Sequence, residues 1–231
     1  MSTKRFWPDS GFVAHNDRPD KDRPEDWVVW HFTHIANLPA IAASGVLLPD
    51  SGVSATVNVA FDSVKALRRD KAVQPDPGYP RSFVSDHVPF YIAARSPMLY
   101  VVCRYGAHEG GAGPLVFLGA RLGDIAATPG LIWCASDGNA AAGFTRFSRD
   151  LSSVGSFVDF DLLCQRDWDN TPDDPNRKSR RAAEILVHGR LPLELVTDVA
   201  CYNDATCAQA AAILSGVGGV RQYTTKPELY Y

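Results

Sequence analysis

Glu184 stands in "RRAAEILV", between two alanines and an Ile-Leu-Val triplet and directly after a basic cluster. Burying an unpaired carboxylate is costly, so a glutamate in such a run needs a reason. The β-branched and apolar residues that follow it predict a strand, with Ala182, Glu184 and Leu186 on one face. Small and apolar neighbours would partly desolvate the carboxylate and suit it to proton transfer. The plain alternative is an edge position or an ion pair with Arg180 or Arg181, and periodicity alone favours that alternative. In "HFTH", His31 and Thr33 lie two apart and share a strand face, where an imidazole and a hydroxyl can bond neighbouring groups of a polar ligand. A core histidine satisfied by backbone is the competing reading. His34 points to the opposite face, and with no third ligand evident a His-x-x-His metal pair is not expected. "KALRRD" offers Arg68 and Arg69, and a guanidinium suits a diphosphate, although basic residues also favour a helix end for electrostatic reasons alone. "VPFYIAARSPMLY" brings Tyr91, Arg95 and Met98 together, a possible ring, cation and adaptable apolar contact for a flat base; ordinary core packing covers Phe90 and Leu99.

The elements that must position these residues are short. "WVVWHFTH" (27–34) reads as a strand, followed by a small amphipathic helix with Asn37 as N-cap, Pro39 in its first turn and Gly45 at its stop. Residues 61–70 read as a helix with a basic end, and 71–82 as Pro-rich loop. "PMLYVVCRY" (97–105), "GPLVFLGARL" (113–122), "LIWCA" (131–135), "AAEILVHG" and "LELVTDVACYND" read as strands. The alanines of "SDGNAAAGFTRF" are expected to start a helix. "ATCAQAAAILSG" reads as a helix with Asp204 as N-cap, and "VRQYTT" as a closing strand. No G-x-G-x-x-G or P-loop opens a helix, and the alternation is irregular. The expected class is therefore α+β, built on antiparallel strands rather than on βαβ units.

Bulk properties narrow the function. The chain of 231 residues has 45% hydrophobic and 21% charged residues, which suits one globular domain. Residues 1–26, polar and broken by Pro8, Pro19 and Pro24, are expected to form an N-terminal arm, with 27–231 as a single domain. A net charge of −3 argues against long-range capture of duplex DNA but permits a short strand in a local groove. Five cysteines without a C-x-x-C pair suggest neither a disulfide framework nor zinc, and fit reduced thiols in the cytoplasm. No signal-peptide h-region and no membrane-length apolar run are read.

Taken as an ordered set, "HFTHIANLPAIAASGVL", "SVKALRRD", "HVPFYIAARSPMLYVV", "LIWCASDGNAAAGFTRF" and "DWDNTPDDPNRKSRRAAEILV" resemble the DarT family, the DNA ADP-ribosyltransferase toxins of bacterial toxin–antitoxin systems. The resemblance covers residues 27–215. It implies an ADP-ribosyltransferase-like fold, two small antiparallel sheets packed at a steep angle with flanking helices and an NAD+ cleft between them. It implies NAD+ as co-substrate, no metal, transfer of ADP-ribose to a base of single-stranded DNA with thymine favoured over guanine, and a macrodomain antitoxin that removes the mark. By the same resemblance Glu184 is the catalytic glutamate, His31 and Thr33 grip NAD+, Asn37 joins them, and Arg69, in preference to Arg68, is the second catalytic and NAD+-binding residue. Tyr91, Arg95 and Met98 fall on the DNA-contacting face, and residues 166–181 form the loop that helps choose the acceptor. The chain departs from the family pattern at Ala94 and across 49–60, which bears on the acceptor base. Transfer to RNA or protein, hydrolysis of NAD+ by water, and a non-catalytic single-strand binding module are the competing expectations; a monomer is expected.

Overall fold

The computed structural model describes residues 9–16, 18–106, 110–220 and 222–231. The strands in chain order are β1 (Val13–Ala14), β2 (Trp27–His34), β3 (Val46–Leu47), β4 (Ala72–Val73), β5 (Ser82–Phe83), β6 (His87–Tyr91), β7 (Leu115–Arg121), β8 (Trp133–Ser136), β9 (Phe147–Ser148), β10 (Glu184–His188), β11 (Leu191–Pro192), β12 (Val196–Cys201) and β13 (Gln222–Thr225). The α-helices are α1 (Leu38–Ser44), α2 (Asp62–Asp70), α3 (Pro97–Tyr105), α4 (Leu122–Ala127), α5 (Val154–Phe157), α6 (Phe160–Leu163), α7 (Arg177–Arg181) and α8 (Asp204–Ile213).

Among the described residues, nine strands join in one sheet, ordered β13-β12-β7-β2-β6-β10-β8-β9 with β1 on β2. The join is uneven. β2 pairs with β7 along its whole length up to Val28, but it meets β6 only at Trp30 opposite Tyr91. The sheet is thus two leaves, β13-β12-β7-β2 and β6-β10-β8-β9, held at a one-residue seam. Both leaves are antiparallel except for the parallel edge of β12 with β13. Short pairs β3–β11 and β4–β5 lie outside the sheet.

The alternation in β2 fills two cores. Trp27 and Val29 enter the larger one with Phe90, Ile92, Ile185 and Val187, whereas Val28, Trp30 and Phe32 enter a second with Tyr91, Leu99 and Phe117. His31 and Thr33 continue the Trp27–Val29 face past the end of the first core, so their side chains line an opening. Residues 10–14 of the N-terminal stretch dock on this frame: β1 pairs with β2, and the Phe12 ring lies edge-on to Trp27 at 4.9 Å.

Three local expectations are corrected. Residues 97–105 form helix α3, not a strand. Ser96 caps it by accepting from Leu99 N at 3.2 Å, and Pro97 occupies its first turn. That start signal outweighs the β-propensity of Tyr, Val and Val. The alanines 140–142 form a hydrogen-bonded turn instead of a helix, with Ala142 N donating to Asn139 O. The cap of α8 is Asn203, which accepts from Thr206 N at 2.9 Å, so Asp204 is the first helical residue.

Candidate active site

Glu184 opens β10, a central strand with β6 on one side and β8 on the other, so it is not at an edge. Its side chain is 1% exposed. The ion pair that makes this burial tolerable is with Arg68 of α2: Nη1 lies 3.2 Å from Oε1 and 3.0 Å from Oε2. Ala140 N donates to Oε1 at 3.2 Å, and the backbone N–H of Glu184 donates to Ser136 Oγ at 3.0 Å. Arg180 and Arg181 are engaged elsewhere. Arg180 binds Asp159 and Asp174. Arg181 is fully buried, with its donors on the carbonyls of Ser10, Arg95, Leu162 and Leu163.

Arg68 and Arg69 are placed differently. Adjacent helical residues point about 100° apart. Arg68 turns inward, 13% exposed, whereas Arg69 is 58% exposed and binds Asp50 at 3.0 Å. Burial works against the Arg68 charge, but Glu184, with Tyr91 and Asp50 adding to it, outweighs burial and the guanidinium pKa is raised. Its Nη2 is buried and has no hydrogen-bond partner among the described residues. One donor face of Arg68 is therefore available to an incoming group.

A cleft of about 410 Å³ opens beside this pair across the seam between the leaves. β2 supplies His31, Phe32 and Thr33; β6 supplies His87, Pro89 and Tyr91; α2 supplies Val64, Lys65 and Arg68. His31 Nδ1 donates to Pro89 O at 2.9 Å, which leaves Nε2 as the acceptor of a neutral ring. Burial lowers the His31 pKa against the opposing effect of that carbonyl, and the Arg68 charge lowers it further, so the ring is neutral at pH 7. Asn37 does not cap α1 with its side chain. Its Nδ2 donates to Thr33 Oγ1 at 3.1 Å and to Val57 O at 2.9 Å, and its Oδ1 accepts from Val57 N at 2.9 Å. It thereby holds residues 53–60 as a wall of the cleft. Asp50, bound by Lys65 and Arg69, anchors the start of that wall.

The three residues expected at a DNA face separate. Tyr91 and Met98 line the cleft. Tyr91 lies opposite Glu184 in register and stacks on Phe32 at 5.8 Å, and burial raises its pKa, with the Glu184 charge adding to the effect. Arg95 is committed instead to residues 227–231. Its Nη1 donates to Glu228 O and Tyr230 O at 2.9 and 2.8 Å, and its guanidinium lies 4.2 Å from the Tyr231 ring centroid. Sequence reasoning missed Ser136, the Ala140 N–H and the burial of Arg181. The only available signal was Gly138: a Cβ there would lie 2.9 Å from Ser179 O, so this turn has to pass close against α7. Among the described residues, no group of three or more His, Cys, Asp or Glu side chains is arranged to hold a metal ion.

Two β-leaves parted by a cleft, with a carboxylate on a central strand and a guanidinium facing it, form an arrangement suited to the class of enzymes that transfer a glycosyl group, where positive charge builds on a sugar. The particular kind follows from comparison. Residues 30–231 match the family described as "ssDNA thymidine ADP-ribosyltransferase, DarT". The chain is 61% identical over 228 residues to a DNA ADP-ribosyl transferase of Mycobacterium tuberculosis, covering 98% of this chain and 99% of that protein. It therefore belongs to the DarT family. Thermus sp. 2.9 DarT in complex with ADP-ribosylated ssDNA superposes with a TM-score of 0.79 at 25% identity, covering 90% of this chain and 97% of that one. The same Thermus protein in complex with NAD+ gives a TM-score of 0.76 at 24% identity, over 92% and 99% of the two chains.

Proposed function

We propose that this chain binds NAD+ in the seam cleft and transfers its ADP-ribosyl group to a thymine of single-stranded DNA, with Glu184 and Arg68 at the reacting centre. The observation that carries the reading is Arg68 on the cleft wall, its Nη1 held by the Glu184 carboxylate buried behind it and its Nη2 free. Breaking the ribose–nicotinamide bond sends its electron pair to nicotinamide and builds positive charge on the ribose, as in glycoside cleavage. A fixed carboxylate stabilises that charge where it develops and can accept the proton that the attacking base nitrogen sheds. Arg68 suits the diphosphate or the acceptor carbonyl, and His31 Nε2 suits a ribose hydroxyl that donates to it. Thr33, Tyr91 and Met98 complete the walls. Asn37 and Arg69 act as supports of the 50–60 segment rather than as ligands.

The Thermus relative, solved in complex with NAD+ and with ADP-ribosylated ssDNA, supports both substrates. A macrodomain antitoxin on a separate chain, a monomeric state and action in the bacterial cytoplasm belong to the same proposal. All five cysteines are free thiols, and among the described residues no helix is long and apolar enough to cross a membrane.

The test is intact mass of short single- and double-stranded oligonucleotides after incubation with protein and NAD+. Wild type is expected to add one ADP-ribose to thymine-containing single strands. Glu184→Gln, which keeps the side-chain volume, is expected to lower the rate by about 10²–10³-fold, the scale of removing an electrostatic stabiliser. Nicotinamide release without any DNA product would favour hydrolysis of NAD+, and near-normal transfer by the variant would remove Glu184 from the mechanism.

A further inference from the structure

Helix α2 has its polarity reversed at the site: Arg68 points inward while Leu67 is 59% exposed. Two more large apolar side chains stand in solvent nearby, Phe83 at 47% and Phe144, which is fully exposed. Lys71 connects the three segments. Its N–H donates to Leu67 O at 3.2 Å, its carbonyl accepts from Val84 N at 2.9 Å, and its Nζ donates to Gly143 O at 2.9 Å.

The loop that carries Phe144 is tied to Glu184 and to Lys71, the residue that follows α2. Ala140 N holds Glu184, and the Gly143 carbonyl is held by the residue three after Arg68. The loop is also internally rigid. Ala142 N and Thr145 Oγ1 donate to Asn139 O at 2.9 and 2.6 Å, and Arg146 N and Nε bind the Asp137 carboxylate at 3.0 and 2.7 Å. A fully exposed ring contributes no burial energy to the fold. Held on a rigid loop beside the catalytic glutamate and next to Lys71 and Arg146, it has the composition of a single-strand platform, aromatic faces interleaved with cations.

We infer that Phe144, on a loop tied through Lys71 to the segments of Leu67 and Phe83, is a stacking platform for a base neighbouring the modified nucleotide. This rests on the single-stranded DNA reading above. The occupant is a nucleobase because the patch is small, aromatic and bordered by cations that suit phosphates.

The test uses Glu184→Gln protein with NAD+ and a fluorescent single-stranded oligonucleotide containing one thymidine, read by anisotropy. Adding Phe144→Ala is expected to weaken binding about tenfold and Phe144→Trp to retain it, within the range of one base–aromatic stack. Phe144→Leu, which keeps the apolar surface but not the flat face, should fall with alanine. On a series of oligonucleotides with a single abasic site, the penalty should vanish at one position beside the thymidine. Alanine within about twofold of parent, or a penalty unchanged at every abasic position, overturns the inference while leaving the single-strand reading standing. If the parent protein itself binds no oligonucleotide, both fail together. Thermal unfolding of each variant, expected to match the parent, separates a folding defect from a lost contact.

Discussion

At the scale of single residues, two adjacent arginines with the same chemistry have different fates. Arg68 is buried against Glu184, and Arg69 supports the cleft wall through Asp50. Arg68→Ala is therefore expected to lower DNA modification by at least about 100-fold, since it removes the guanidinium from the reacting centre. Arg69→Ala, which loses a largely exposed pair, should stay within about threefold of wild type. Initial rates of oligonucleotide mass gain measure both. Equal losses would mean that the Asp50 anchor matters as much as the central pair. His87 shows the same contrast between residue type and setting. It lines the cleft, yet its Nε2 is 2.9 Å from Tyr79 Oη and its Nδ1 is 2.8 Å from Phe83 O. Burial lowers its pKa to about 4 against the opposing Phe83 carbonyl, so it is a neutral structural group at physiological pH.

At the scale of elements, what matters is how the loop before β10 is secured. Arg181 ends α7 and reaches the carbonyls of Ser10, of α6 and of Arg95, while Tyr231 Oη donates to that same Arg95 carbonyl and accepts from Trp168 Nε1 at 2.8 Å. Burial brings the Arg181 guanidinium down to about 10, still charged at pH 7, and among the described residues no carboxylate pairs with it. The N-terminal stretch, residues 166–181 and residues 227–231 thus share one hydrogen-bonded hub three residues from Glu184. Arg181→Met keeps much of the volume but strands several buried carbonyls, and is expected to cost about 3 kcal/mol or more of unfolding free energy. Chemical denaturation measures it. A cost below about 1 kcal/mol would mean that water replaces the guanidinium without difficulty.

At the scale of the whole molecule, the two leaves meet at one residue pair, and the cleft is lined from both sides of that seam. A ligand that contacts β2 and β6 together stabilises the native state by mass action. NAD+ at about 100 times its dissociation constant should add about 2.7 kcal/mol. For a chain of this size that corresponds to a Tm rise of roughly 5–10 °C. His31→Ala should reduce the rise, and an absent shift in wild type would argue that NAD+ does not enter this cleft.

The linear order of residues carried the strand of His31 and Thr33, the α2 helix, the strand of Glu184 and the family itself, because alternation, capping residues and block order are local properties. Even so, α3 was hidden by its valines and tyrosines until the weight of Ser96-Pro97 was seen. Only the tertiary structure decided which arginine faces the carboxylate, since a 100° turn of helix separates two identical side chains and the packing of α2 sets its rotation. It also decided that Arg95 belongs to residues 227–231, and that Ala140 lends an N–H to Glu184. Those contacts join residues 44 to 135 positions apart, and no local pattern records which distant backbone group a side chain will find.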